Sequence, residues 1–203
     1  MIEEGDIMAL QSQGLLSPEE YLAIERQAVC KSEYFAGEMF AMAGASRRHN
    51  LIVANVIRVL GNQLLESPCN VYPSDMRLKI SKTGKYTYPD VVVACGDEQF
   101  EDEHHDTLLN PVVIIEVLSE STEAYDRGKK FEQYQSIEGF AEYLLIAQDH
   151  YSIERYVRQD ERNWTYAAFH SLEEVVTLST IGCQLVLKDI YAKVDVSQPS
   201  GTA

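Results

Sequence analysis

Short apolar runs rich in β-branched residues recur along the chain between amphipathic stretches and breaks marked by Gly, Pro or Asn. Two of them, Thr87–Val93 and Val112–Leu118, read as strands buried in a sheet, and Glu142–Ala147 reads as a third. Glu38–Ala43 is a shorter strand, closed by Gly44. From Val71 the pattern turns to period two: Met76, Leu78 and Ile80 alternate with Arg77 and Lys79, the mark of one buried face. Ser81–Gly84 supplies a turn, and Tyr86–Ala94 is expected to return as the partner strand. Ile153–Arg158 and Trp164–Phe169 form another pair across the turn Gln159–Asn163, and residues 172–191 add a short strand and a terminal turn.

Three stretches have helical spacing. Ser17-Pro18-Glu19-Glu20 is a helix start, with Ser17 as cap, Pro18 at the first helical position and Glu20 closing a capping box. That helix is expected to reach about Lys31, with Tyr21, Leu22, Ile24 and Ala28 inward. A second begins near Ser46 and carries Val53, Val56, Ile57, Leu60 and Leu64, ending near Glu66 before Pro68. A third begins near Asp126, with Phe131, Tyr134 and Ile137 as its stripe and Lys130 on the same face as Tyr134. Strands and helices interleave without repeat or linker, which predicts one α/β domain over residues 17–194, a flexible arm over 1–16 and a frayed tail over 195–203.

Charge changes this picture more than composition does. The 203 residues carry a formal net charge of −15, which opposes non-specific attachment to nucleic acid, because that affinity comes from Lys and Arg neutralising phosphates. A nucleic-acid reading therefore needs a local basic patch. Arg77, Lys79, Lys82 and Lys85 lie in a stretch free of acidic residues, and Arg47 and Arg48 open the second helix. They could hold a phosphate backbone, or be an outward strand face charged for solubility. The acidic run from Asp97 to Asp106 reads as a solvated loop, since its groups follow no metal-ligand spacing. No apolar stretch reaches the roughly 20 residues of a membrane helix, and the start lacks the order of a signal peptide, so a cytoplasmic location without membrane attachment is expected. Cys30, Cys69, Cys95 and Cys183 show no Cys-x-x-Cys pair, and free thiols are expected.

Two of the core strands carry carboxylates, Asp90 and Glu116. Burying an ionised carboxylate costs several kcal/mol unless a charge or metal compensates it. A divalent cation between the two would do so; the alternative puts Asp90 at a strand mouth in solvent and pairs Glu116 with a surface Lys. With Lys130 on the following helix, the parts of phosphodiester hydrolysis are present: carboxylates to hold Mg²⁺, and a cation to orient water or stabilise developing charge.

In this order and spacing Glu33–Glu38, Arg48-His49-Asn50, Pro73–Met76, Tyr88-Pro89-Asp90, Ile115–Ser119 and Asp126–Phe131 resemble the PD-(D/E)XK nuclease superfamily, and more closely its Uma-two family, from about Ser17 to Tyr191. The resemblance implies a restriction-endonuclease-like fold, a central mixed β-sheet flanked by α-helices. It implies metal binding by Asp90 and Glu116, with Mg²⁺ and Mn²⁺ as a substitute. The superfamily's Lys usually stands two residues after the Glu, where this chain has Leu118; the likeness moves that role to Lys130, with Lys129 as neighbour. Glu38 and Asp75 match acidic positions of the family and would be a third ligand or a partner of Lys130, unless Glu38 makes a surface ion pair and Asp75 closes a turn. His49 would point at the site or cap the second helix. The expected activity is a metal-dependent endonuclease acting on DNA, with a homodimer favoured for cutting both strands. Its rivals are a catalytically inactive nuclease fold serving as a nucleic-acid-binding or interaction module, and a hydrolase of a small phosphoester.

Overall fold

A computed structural model describes residues 14–196; most of the expected arm and tail lies outside them. The sheet at the centre has six strands in the order β11-β10-β9-β8-β6-β3. They are β3 (Cys69–Pro73), β6 (Val91–Cys95), β8 (Val113–Leu118), β9 (Glu142–Ala147), β10 (Ile153–Arg158) and β11 (Trp164–Phe169). β8 and β9 run parallel and the other neighbours antiparallel, so the sheet is mixed. The fold is α/β and restriction-endonuclease-like.

Because side chains alternate along a strand, β6 and β8 each feed two cores. Val91, Val93, Val113, Ile115 and Val117 pack on one face against Ile52, Val56 and Leu60 of α2 (Arg47–Gln63). Val92, Ala94, Ile114 and Leu118 face the opposite way, towards Tyr134, Tyr143, Leu78 and Ile80. That second face is covered by the helical segment α3 (Glu123–Tyr125), a π-helical turn Asp126–Lys130 and α4 (Phe131–Tyr134). It is covered also by a five-stranded sheet, order β2-β1-β5-β4-β7, made of β1 (Ser32–Phe35), β2 (Glu38–Ala41), β4 (Arg77–Ile80), β5 (Lys85–Thr87) and β7 (Thr107–Leu108).

The expected hairpin from Met76 to Ala94 is not one hairpin. β4 pairs with β5 in the smaller sheet, and the chain then crosses at Tyr88-Pro89 into the central sheet as β6. Proline has no N–H to give a ladder, so a strand carrying it breaks there.

The first helix, α1 (Pro18–Glu25), has the expected capping box at Ser17 and Glu20 but ends six residues early. The Glu25 carboxylate accepts the Ser32 N–H at 2.9 Å and the Tyr88 hydroxyl at 2.9 Å, folding the chain back to start β1. Residues 172–191 hold two strands, β12 (Val175–Leu178) and β13 (Cys183–Val186), and α5 (Leu187–Ile190). The expectation of free thiols fails for two of the four cysteines: Cys69 and Cys95 face each other across β3 and β6 and form a disulfide, while Cys30 and Cys183 are free. Sequence spacing carried no sign of this pair, which only strand register brings together. No helix among the described residues is long and apolar enough to cross a membrane.

Candidate active site

Asp90 stands where the chain enters the central sheet, one residue before β6. Its Oδ2 accepts the Val117 N–H of β8 at 2.7 Å and lies 3.0 Å from Nε2 of His49. Of the two roles the sequence raised for His49, its ring takes the first and reaches the carboxylate; the helix cap is Ser46, whose hydroxyl accepts the His49 backbone N–H at 3.1 Å.

Glu116 lies on β8, on the face opposite Ile115 and Val117, and is only 3% exposed. Its Oε1 accepts the Tyr134 hydroxyl at 2.9 Å and stands 2.9 Å from the Lys130 ammonium. Burial pushes its carboxyl up to about 8; Lys130 opposes the rise, and Asp90 and Asp126 add to it. Desolvation outweighs the single favourable ammonium. Burial alone would also disfavour the charged form of Lys130, but Glu116, Asp126 and Glu33 hold it well above the ordinary lysine value.

Lys130 is delivered by the π-helical turn, in which it meets Asp126 at 3.3 Å. Such turns are rare and concentrate at functional sites. A further carboxylate, Glu33 on β1, stands 4.0 Å from Lys130 and 2.9 Å from Lys85, and accepts the Thr87 hydroxyl. Lys85 also donates to the Tyr125 hydroxyl. Burial raises the Glu33 carboxyl, but Lys130 and Lys85 outweigh it and leave the group below the usual value.

The structure thus brings Asp90, His49, Glu116 and Lys130 together and adds Glu33, Asp126 and Tyr134, which sequence reasoning missed as site residues, and Lys85, which the sequence offered only as a contact to a phosphate backbone. A signal existed for Glu33: it opens the Glu33–Glu38 motif, and it alternates with Tyr34, which packs the other way with Tyr21 and Tyr86.

Glu38 and Asp75 lie elsewhere. Glu38 is exposed on β2, where it pairs with Phe35 of β1, and its side chain makes no hydrogen bond or ion pair among the described residues. Asp75 has an 85% exposed side chain, pairs with Lys31 at 3.0 Å, and lies within the turn closed by Met76 N–H to Pro73 O.

The stretch from Arg77 to Lys85 does not form an outward basic patch, because a second layer covers it. Arg77 is buried, donating to Tyr88 at 2.9 Å and Thr107 at 3.1 Å beside Asp106 at 3.5 Å. Lys79 pairs with Glu101, and Lys85 is interior. Lys82, Arg47 and Lys129 are exposed and Arg48 half-buried, without ion pairs among the described residues; Lys129 lies over the Phe35 ring at 5.8 Å. The acidic loop is also less free than its composition suggests: Arg26 clamps Asp102 at 2.7 Å and Asp106 at 2.8 Å.

No group of three His, Cys, Asp or Glu side chains among the described residues makes a ready metal cage. Mg²⁺ needs none, since it is commonly held by one or two carboxylates with water in the other positions. Asp90 accepts only at Oδ2 and Glu116 only at Oε1, so each keeps one oxygen without a partner among the described residues. The donor chemistry also fits, since Asp90 and Glu116 offer the hard carboxylate oxygens that such a cation takes.

The family described as "Uma2: Putative restriction endonuclease" matches residues 18–188. Two proteins of Synechocystis sp. (strain ATCC 27184 / PCC 6803 / Kazusa) are similar. The protein sll1609 is 38% identical over 158 residues, covering 78% of this chain and 89% of its own length. The protein slr1290 is 35% identical over 176 residues, covering 87% and 91%. Among solved structures, "a putative nuclease belonging to DUF820" from Anabaena variabilis ATCC 29413 superposes with a TM-score of 0.70 at 18% identity, over 87% of this chain and 97% of that one. At that identity the likeness speaks for the fold.

Proposed function

The chain belongs to the Uma2 family, and from that premise we propose that it is a Mg²⁺-dependent endonuclease hydrolysing phosphodiester bonds in DNA, with Mn²⁺ as a substitute. The observation that carries this reading is the meeting of Asp90, Glu116 and Lys130 at one end of β6 and β8, each carboxylate with a spare oxygen.

Asp90 and Glu116 would hold the metal. When bound, the metal would neutralise charge on the scissile phosphate and make a nearby water a better nucleophile. The Val117 N–H and His49 fix the Asp90 carboxylate, and the Tyr134 hydroxyl fixes that of Glu116. Lys130, charged among three carboxylates, is suited to donating to a phosphate oxygen as charge builds there. Arg47, Arg48, Lys82 and Lys129 are the cations left to meet the rest of the strand. We propose further that the enzyme works as a homodimer in the cytoplasm, where the Cys69–Cys95 bridge would meet reducing thiols.

The inward use of Arg77, Lys79 and Lys85 favours a second reading, hydrolysis of a small phosphoester at the same centre. Cleavage of supercoiled plasmid and of single-stranded DNA with Mg²⁺ or Mn²⁺, comparing wild type with Asp90→Ala and Lys130→Ala, tests the proposal. The expected result is metal-dependent cutting lost in both variants. Cutting unaffected by Asp90→Ala would overturn it, and hydrolysis of a model phosphodiester without any cutting of DNA would move the assignment to the small substrate.

A further inference from the structure

β5 splits its side chains between two tasks. Tyr86 points into the aromatic cluster with Tyr21 and Tyr34, while Lys85 and Thr87, one residue away on either side, meet Glu33 of β1. Lys85 is 1% exposed. A buried ion pair seldom gains stability over apolar residues of the same volume, so its presence asks for another role.

The two oxygens of Glu33 are both engaged, Oε2 by Lys85 and Oε1 by Thr87. In this it differs from Asp90 and Glu116, which each keep one oxygen without a partner among the described residues. Glu33 is therefore placed as a fixed anion and not as a ligand. Its Oε1 faces Lys130 at 4.0 Å. The other two carboxylates at Lys130 cannot do what Glu33 does. Asp126 belongs to the same helical turn as Lys130 and moves with it. Glu116 would share its charge with the metal. Glu33 comes from a different sheet and, among the described residues, is the carboxylate that attracts the ammonium from a rigid element outside the metal centre, through charge and not through a hydrogen bond.

We propose that Glu33 is a positioning residue that anchors Lys130 from the five-stranded sheet, and that Lys85 is the counter-charge which keeps Glu33 from becoming a metal ligand; this deepens the nuclease reading and rests on it. The smaller sheet is then part of the active centre and not only a cover for the core.

The test uses the full chain as wild type, Glu33→Gln, Lys85→Met and the double variant Glu33→Gln/Lys85→Met, which removes both charges of the pair together and so leaves neither buried alone. Each is read by Mg²⁺ titration calorimetry, by the ammonium signal of Lys130 in protein labelled with ¹⁵N-lysine, and by cleavage. The Lys130 signal is assigned by its loss in Lys130→Met. In Glu33→Gln and in the double variant, the expected result is Mg²⁺ affinity within about threefold of wild type and a broadened or lost Lys130 ammonium signal. Their kcat falls about tenfold to a hundredfold at unchanged KM, the range for a residue supporting a catalytic group. In Lys85→Met, Glu33 is freed, and Mg²⁺ binding tightens or gains a second step. An unchanged Lys130 signal in the double variant would overturn the anchoring role, and loss of Mg²⁺ binding in Glu33→Gln would make Glu33 a ligand and overturn it as well. Should the wild type cut no DNA, the nuclease reading falls, and the calorimetry and the Lys130 signal still decide the role of Glu33.

Discussion

The Lys130 ammonium stands 2.9 Å from the Glu116 carboxylate, with both groups in the interior. Removing the lysine leaves Glu116 free to shed its charge by taking a proton, since its carboxyl is already pushed up to about 8 by burial. Lys130→Met is thus expected to lose about 2 kcal/mol of stability or less, below the usual toll for breaking a buried pair, while cleavage drops about a hundredfold or more. Urea unfolding and single-turnover cleavage on the same preparation check both halves.

Metal binding to the folded state alone adds stability by mass action. At about 100 times its Kd, Mg²⁺ should add roughly 2.7 kcal/mol, seen as a rise in melting temperature that Asp90→Asn abolishes. A wild-type melt indifferent to Mg²⁺ and Mn²⁺ would count against the site.

Arg77 and Arg48 should part company. Arg77 is packed among Tyr88, Thr107 and Asp106, so Arg77→Met is expected to cost about 3 kcal/mol of stability by unpairing buried groups and to leave DNA affinity alone. Arg48→Ala should hardly move the melting curve and should weaken DNA binding, with a shallower dependence on salt. Fluorescence anisotropy at several salt concentrations separates the two.

The Arg26 guanidinium holds the Asp106 carboxyl down at about 2, against the opposing pull of burial and with help from Arg77. A carboxylate whose folded pKa lies below its unfolded one adds stability that is complete above the unfolded value, about 3.9, and is lost as pH falls through the folded one. Asp106→Asn should therefore lower stability by about 1 kcal/mol at neutral pH, since the pair is partly exposed. Acid melts should show the difference shrinking between pH 4 and 2.

Much of this was legible in the chain. Asp90, Glu116 and Lys130 stood out because carboxylates inside apolar runs and a lysine beside a helical stripe are costly unless used, and the family likeness named the same positions. The Ser17–Glu20 cap was legible for an equally local reason. What the sequence hid depends on which layer covers which face. Arg77, Lys79 and Lys85 alternate with apolar residues as an exposed strand face would, yet a second layer turns them inward. Pro89 was a readable break in the supposed hairpin, since it cannot donate to a ladder, although nothing local says that the chain there changes sheets. Glu33 opens a motif and alternates with Tyr34, but on a strand of four residues that signal says nothing of Lys85 and Lys130, which only the fold brings to it. The Cys69–Cys95 bridge follows from the register of β3 and β6, which spacing alone does not encode.

The division of labour along β5 bears on how the protein reaches its native state. A slip of one residue between β5 and its neighbours would carry Lys85 and Thr87 into the pocket of tyrosines and swing Tyr86 among the charges, exchanging every partner for a wrong one. Short strands pair ambiguously when their two faces are alike; here the faces are opposite in kind. The Lys85–Glu33 pair thus doubles as a register key, one that a chain still searching for its fold can satisfy in a single alignment.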